Sequence, residues 1–298
     1  MRKIVLHFLL FISFSSAFSQ SGWVALNSGT TDKLLSVYFL NNTTGFIGSE
    51  SSIRMTTTGG AEWFTVLTVG GASFHFINSQ TGFVHCGIYF KTTDGGYNWV
   101  PISTGTTAVT KIQMLDSLNG FGGGLFTLCP GSGAPLHENF IRTTNGGKLW
   151  QALATNINLS EYFASSDFIF FDSNTGFLTT SHQIPPNNYN ITNRTVNGGT
   201  NWINIFGNDF YLGTFFRFNN TTAYGLGSTN SGSATFKTTD KGTSWSTAAS
   251  SRPSMLISSV QFTDFNTGYI AGMVYVGGLP RVILKTTDGG IVWNYIYN

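Results

Sequence analysis

Charge is scarce in this chain. Asp, Glu, Lys and Arg make up 9% of its 298 residues, against about 25% in an ordinary globular protein. Solubility must rest on Asn, Ser, Thr and Gly, a habit of extracellular all-β proteins and an unusual one for cytosolic enzymes. Beyond the N-terminal leader no apolar run reaches the roughly 18 residues of a spanning helix, so no membrane span is expected. There is no phosphate-binding loop, no Ser/His/Asp spacing and no Cys-x-x-Cys pair, so three common routes to chemistry have no foothold. Aromatic residues are plentiful instead: 15% of the chain, with 27 Phe. That excludes a disordered chain and supplies ample core.

The first residues read as an export signal. Arg2 and Lys3 form a basic start, Ile4 to Phe14 an apolar run, and Ala17-Phe18-Ser19 a small-residue cleavage site. We expect residues 1–19 to be a signal peptide and residues 20–298 one domain, secreted, periplasmic or cell-surface. Cleavage before Gln20 removes two of the 15 basic residues and leaves as many basic as acidic ones, 13. The nominal pI near 8.5 then gives no reason to expect nucleic acid.

The chain writes one octapeptide six times. TTTGGAEW (Thr56–Trp63), TTDGGYNW (Thr92–Trp99), TTNGGKLW (Thr143–Trp150), TVNGGTNW (Thr195–Trp202), TTDKGTSW (Thr238–Trp245) and TTDGGIVW (Thr286–Trp293) recur at intervals of 36 to 52 residues. A second signature runs in step, as in Phe39-Leu-Asn-Asn-Thr-Thr-Gly-Phe46 and Phe76-Ile-Asn-Ser-Gln-Thr-Gly-Phe83. Its fifth copy is worn, Arg217-Phe-Asn-Asn-Thr-Thr-Ala-Tyr224. Each unit reads strand A, Asx turn, strand B, variable loop, strand C, box, strand D. A strand-rich repeat of about 40–50 residues predicts propeller blades. The fold class is all-β, a propeller of four-stranded antiparallel blades, six in number, with seven as the alternative. The alternative comes from Trp23-Val-Ala-Leu26, which looks like a strand D with no box before it. It could close the ring or be a remnant of a further blade. In the box, the turn residues Thr58, Asp94, Asn145, Asn197, Asp240 and Asp288 are expected to accept backbone N–H groups. The glycine at the fifth position is expected at positive φ, and Trp63, Trp99, Trp150, Trp202, Trp245 and Trp293 to cover the turn. The Gly of the second signature is likewise assigned a positive φ.

These residues resemble the Asp-box, or bacterial neuraminidase repeat. The rhythm of Gly-Phe, Lys/Arg-Thr-Thr-Asp-Gly-Gly and Trp is similar to photosystem II assembly/stability factor-like propellers and to sortilin-type propellers. The resemblance covers roughly residues 23 to 298. It implies a propeller and protein partners, and it says little of activity, because such propellers host enzymes, receptors and assembly factors. Thr58, Asn145 and Asn197 depart from the box Asp. They keep a turn-capable side chain and argue against a metal held by the boxes.

A sialidase-like glycoside hydrolase needs an arginine cluster and paired acids. Arg142 and Arg194 stand at a repeat position shared with Lys91, Lys237 and Lys285, read as a solvated strand end or a partner for turn acids. Only Arg217, Arg252 and Arg281 stand outside the repeat. Six of the 13 acids are box or A–B turn residues, and nothing marks the other seven as a pair, so no catalytic residue is assigned. Binding is expected on the variable loops Thr127–Asn139, Ser181–Asn193, Ser228–Ala234 and Tyr275–Arg281, or at the channel mouth. The ligand-binding candidates are Arg217, His182, Tyr189, Tyr275 and Arg281. His75, His85 and Cys86 could approach one another but are too few for a metal site. A disulfide between Cys86 and Cys129 is left open, since their positions within their repeats differ. The expected role is a non-catalytic protein- or glycan-binding or assembly scaffold at the cell envelope, monomeric, with no cofactor, metal or nucleic acid. The alternative is a sialidase-like hydrolase.

Overall fold

A computed structural model describes residues 26–70, 73–86, 88–103, 109, 111–123, 140–154, 156, 167–184, 187–205, 210–229, 232–249, 255–274 and 281–297. They form a six-bladed β-propeller. Six four-stranded antiparallel sheets follow one another along the chain, each a simple meander. The first blade runs through Leu34–Phe39, Gly45–Ser49, Ile53–Thr56 and Phe64–Leu67. Blades 2 to 6 span residues 73–102, 111–152, 168–204, 210–249 and 255–297. The strands A of successive blades are neighbours and line the centre. The expected signal peptide and Trp23 lie outside the described residues, as do Cys129 and Tyr275. Among the described residues no helix is long and apolar enough to cross a membrane.

The A–B turns form as their sequence demands. Asn41, Asn78, Asp116, Asp172, Asn219 and Asp264 each accept two backbone N–H groups two and three residues on, at 2.7 to 2.9 Å. The glycine closing these turns does a different job from the one expected. None of Gly45, Gly82, Gly120, Gly176 and Gly268 is among the positive-φ residues. Each sits opposite the last residue of strand A, and a Cβ there would lie 2.3 to 2.7 Å from Phe39, Phe76, Met114, Phe170 or Phe262. The glycine is room for a side chain lying flat across the neighbouring strand. Blade 5 has changed both partners: Arg217 stands opposite Ala223.

The core lies between blades. Five apolar clusters join blades 1–2, 2–3, 3–4, 4–5 and 5–6. The strand-B aromatics Phe46, Phe83, Phe121, Phe177 and Tyr224 are at most 1% exposed. Burying such a ring is worth about 1.5–3 kcal/mol. Two of the variable loops are in fact strand. Thr-rich, β-prone sequence carries blade 4's middle hairpin out to nine residues a side, Gly176–Ile184 and Asn187–Thr195. Ser228 likewise pairs with Ser233 inside blade 5.

Candidate functional site

The six boxes share one hydrogen-bond plan. The first Thr hydroxyl accepts the N–H of the fifth-position glycine, at 2.7 to 3.0 Å in all six copies. That hydroxyl donates to Asp94, Asn145, Asn197, Asp240 or Asp288 at 2.8 to 3.0 Å. In the first box Thr56 and Thr58 meet at 3.3 Å. The third residue in turn accepts the N–H four residues on, at 2.9 to 3.0 Å, the Thr58 hydroxyl included. The fifth-position glycines have φ between 72° and 96°. All five fourth-position glycines share that sign, and Lys241 takes their place in blade 5 with φ 58°. Trp99 and Trp293 donate their indole N–H to Gly96 O and Gly290 O at 2.9 Å. Trp150 and Trp202 are buried, and Trp63 and Trp245 half-buried.

The boxes also lock blades together. Gly96 faces the Phe46 ring of the preceding blade, Gly147 faces Phe83 and Gly242 faces Phe177. In each turn the first Thr, the third residue and the fifth-position glycine are thus engaged with one another, while the indole N–H groups of Trp150, Trp202 and Trp245 are buried without a hydrogen-bond partner. Asp94 and Asp240 are held near 2 by the N–H and side-chain donors of Asn98 and Ser244, respectively, and by the Thr hydroxyl.

The basic position before the box is not a free solvated end. Lys91, Arg142, Lys237 and Lys285 lie 5.3 to 5.6 Å over the strand-B rings Phe83, Phe121, Tyr224 and Tyr269. A flat ring beside a strand offers its negative face to a cation. Lys91 also donates to Gly146 O of the next box at 2.6 Å. The Nε atoms of Arg142 and Arg194 are buried without a hydrogen-bond partner.

A cleft of about 440 Å³ opens where the A–B turns of blades 3, 4 and 5 meet. Its lining includes Asp116, Asn119, Arg142, Asp172, Arg217 and Asn220. Arg217 leaves the strand-A row and turns across it. Its guanidinium donates to Phe171 O of blade 4 at 3.2 Å and to Asn219 O at 3.3 Å, and it also reaches Asn220 Oδ1. Burial lowers its pKa, against the pull of Asp172. The carboxylate of Asp172 accepts from Lys241 at 2.8 Å. Asp116 is held low by the Asn119 and Leu118 donors. Both acids are therefore engaged in their turns, while the arginines present charge to the cleft wall.

Sequence reasoning found Arg217 and its departure from the repeat. It missed Arg142 as a cleft residue, because its repeat position disguised it. The other candidates do not join them. His182 and Tyr189 are register partners near the far end of the blade 4 hairpin. Arg281 is exposed at the start of a strand C, also on the B–C side, and Tyr275 is outside the described residues. His75 and His85 serve as core groups. His75 Nε2 accepts Met114 N–H at 2.9 Å, and His85 packs on Tyr89 at 4.4 Å. Burial pushes both down to about 4. Among the described residues no group of three His, Cys, Asp or Glu could hold a metal ion.

Also unforeseen were side chains that stitch strands A together. Gln113 exchanges two 2.8 Å hydrogen bonds with the backbone of Phe170 in the next blade. Asp167 accepts from Lys111 in blade 3 and from Thr214 Oγ1 and Phe215 N in blade 5.

No protein-family model matches the chain, and no curated protein matches it. Solved structures do. One is "YCF48 bound to D1 peptide", 18% identical, with 91% of this chain and 84% of that chain covered and a TM-score of 0.56. YCF48 from Cyanidioschyzon merolae is 17% identical over 91% and 86% of the two chains, TM-score 0.58. A protein of unknown function from Dyadobacter fermentans is 10% identical over 88% and 96%, TM-score 0.51. At these identities the likeness is one of fold.

Proposed function

We propose that this protein is a non-catalytic propeller scaffold that binds a peptide segment of a partner protein in the cleft between the A–B turns of blades 3 to 5. The observation that carries the reading is Arg217. A partly buried cation replaces a core side chain and lines, with Arg142, the cleft between these turns. Guanidinium groups suit carboxylates and peptide carbonyls, because their donors form a fixed planar fork. A structural neighbour carrying a bound peptide supports the choice of ligand class. The boxes then act as Asp-box turns that frame the cleft. The leader and the low charge support export to the envelope as a one-domain, monomeric protein.

The test is selection of displayed peptides on mature protein, followed by binding titrations with Arg142→Gln and Arg217→Gln. Peptides whose affinity falls at least tenfold in both variants, at unchanged fold, support the reading. Peptides indifferent to both changes overturn it. Hydrolysis of a sialoside by the wild type, lost in Arg217→Gln, would establish the glycoside hydrolase alternative.

A further inference from the structure

Among the described residues, Lys241 alone has a positive φ without being glycine, at 58°. It stands at the fourth position of the blade 5 box, where the other boxes have Gly59, Gly95, Gly146, Gly198 and Gly289. Its backbone does what theirs does. Lys241 N–H donates to Thr221 O in the A–B turn of its own blade at 2.9 Å, as Gly146 N–H donates to Leu118 O at 2.8 Å and Gly198 N–H to Asn174 O at 2.9 Å. A side chain is disfavoured in this conformation, because its Cβ crowds the following carbonyl. What the lysine adds is an ammonium group that crosses to blade 4 and meets Asp172 Oδ2 at 2.8 Å. The two side chains are 41% and 35% exposed, and an ion pair in that setting contributes little to stability. A strained residue whose contact does little for the fold points to function.

Asp172 lines the cleft, and so does Asp116 one blade earlier. Each turns Oδ1 to two N–H groups of its own A–B turn. Each also has its second oxygen capped. Asp116 Oδ2 accepts the Asn119 side-chain amide at 2.9 Å. In blade 4 Thr175 stands where blade 3 has Asn119, and the cap on Asp172 comes from Lys241 instead. Arg142 and Arg217 form no ion pair among the described residues, and Arg142 Nε is buried without a hydrogen-bond partner. Two arginines against two aspartates make a neutral wall; Lys241 adds one positive charge. With a glycine at position 241, Asp172 would be left to neutralise Arg217, the charge it already acts on.

We infer that Lys241 determines the charge selectivity of the cleft: by capping Asp172 it reserves Arg142 and Arg217 for a carboxylate of the bound peptide, an Asp or Glu side chain or the C-terminus. The inference rests on the peptide reading of the cleft and narrows it. The ligand carboxylate takes the place of the acid that Lys241 removes, and a planar guanidinium fork matches it. An uncapped Asp172 would repel the same group.

The test uses substitutions taken from the other blades. Lys241→Gly restores the residue of the other five boxes, and Asp172→Asn the turn residue of Asn41, Asn78 and Asn219, so neither should disturb its turn. Peptides displayed with free C-termini are selected on wild-type mature protein. The tightest binder is titrated beside two altered forms, one with its Asp and Glu changed to Asn and Gln, the other amidated at the C-terminus. The form that loses affinity identifies the carboxylate as side chain or terminal. Toward the parent peptide Lys241→Gly should lose about tenfold in affinity, Lys241→Arg should keep it, and Lys241→Gly/Asp172→Asn should regain most of the loss. Toward the form without that carboxylate all four proteins should bind alike, whereas a role in the fold alone would weaken both forms equally. A parent peptide indifferent to both alterations overturns the inference, as does a Lys241→Gly loss that Asp172→Asn does not recover. Either result leaves the binding reading standing where the peptide still requires Arg142 and Arg217. A wild type that selects no peptide overturns both.

Discussion

Blade 5 offers a direct test of why the turn glycine is there. In five blades a flat side chain at the end of strand A requires a glycine opposite; in blade 5 both have changed, to Arg217 and Ala223. Ala223 is 0% exposed. Placing a ring at 217 alone should drive it against the Ala223 methyl, since the matching Cβ positions in the phenylalanine blades lie 2.5 to 2.7 Å from the ring. Overpacking of that kind costs about 1–3 kcal/mol. Ala223→Gly alone should cost about 0.5–1 kcal/mol from chain entropy, with a further small loss of burial. Together the two changes restore the arrangement of the other blades. Burial of the phenyl group, about 1.5–3 kcal/mol, then offsets the lost Arg217 hydrogen bonds, worth about 1 kcal/mol each. The assay is urea unfolding followed by tryptophan fluorescence for Arg217→Phe, Ala223→Gly and the double variant. We expect a favourable coupling of about 1–3 kcal/mol. Single effects that add to within about 0.5 kcal/mol would refute the clash as the reason for the glycine.

Three further outcomes follow from the boxes. Thr92→Val leaves the buried Gly96 N–H without its acceptor and should cost about 1–3 kcal/mol, with Thr92→Ser recovering most of it. Gly96→Ala should cost about 1–3 kcal/mol more than Gly232→Ala in the same unfolding assay, because both sit at positive φ but only Gly96 faces a ring, Phe46, at 2.4 Å. Asp94 and Asp240 are depressed from 3.8 to about 2, so the folded state binds protons less readily than the unfolded chain. Their contribution is present above about pH 4 and is lost as pH falls toward 2. Melting temperatures of an Asp94→Asn/Asp240→Asn variant should therefore fall less over that range than those of the wild type. Asn145 and Asn197 already hold the same turns without a titratable group, and an unchanged pH profile would remove the box aspartates as the cause.

The periodic part of the fold was legible because each element carries its own local chemistry. Thr-x-Asp-x-Gly-x-x-Trp specifies a turn through atoms within eight residues, and Asn41 or Asp116 specifies an A–B turn within four. What local reading misassigned were the inter-strand and inter-blade roles. Gly45 looked like a turn residue, yet its partner Phe39 lies on the adjoining strand. Lys91 looked solvated, yet Phe83 and Gly146 receive it across strand and blade. The cleft was half legible. Arg217 broke a pattern and could be noticed; Arg142 obeyed one and could not. Gln113 sits on a strand and Asp167 just before one, neither within a motif, and only the closeness of neighbouring strands A gives them partners.

The central claim is that the octapeptide holds blades together while the cleft between them does the binding. Peptide affinity and melting temperature measured side by side test it most directly, on Thr92→Val and Thr238→Val against Arg142→Gln and Arg217→Gln. The account predicts that the threonine variants melt earlier and bind normally below their transition, while the arginine variants melt within a few degrees of wild type and lose binding. Threonine variants that lose affinity at full stability would contradict it.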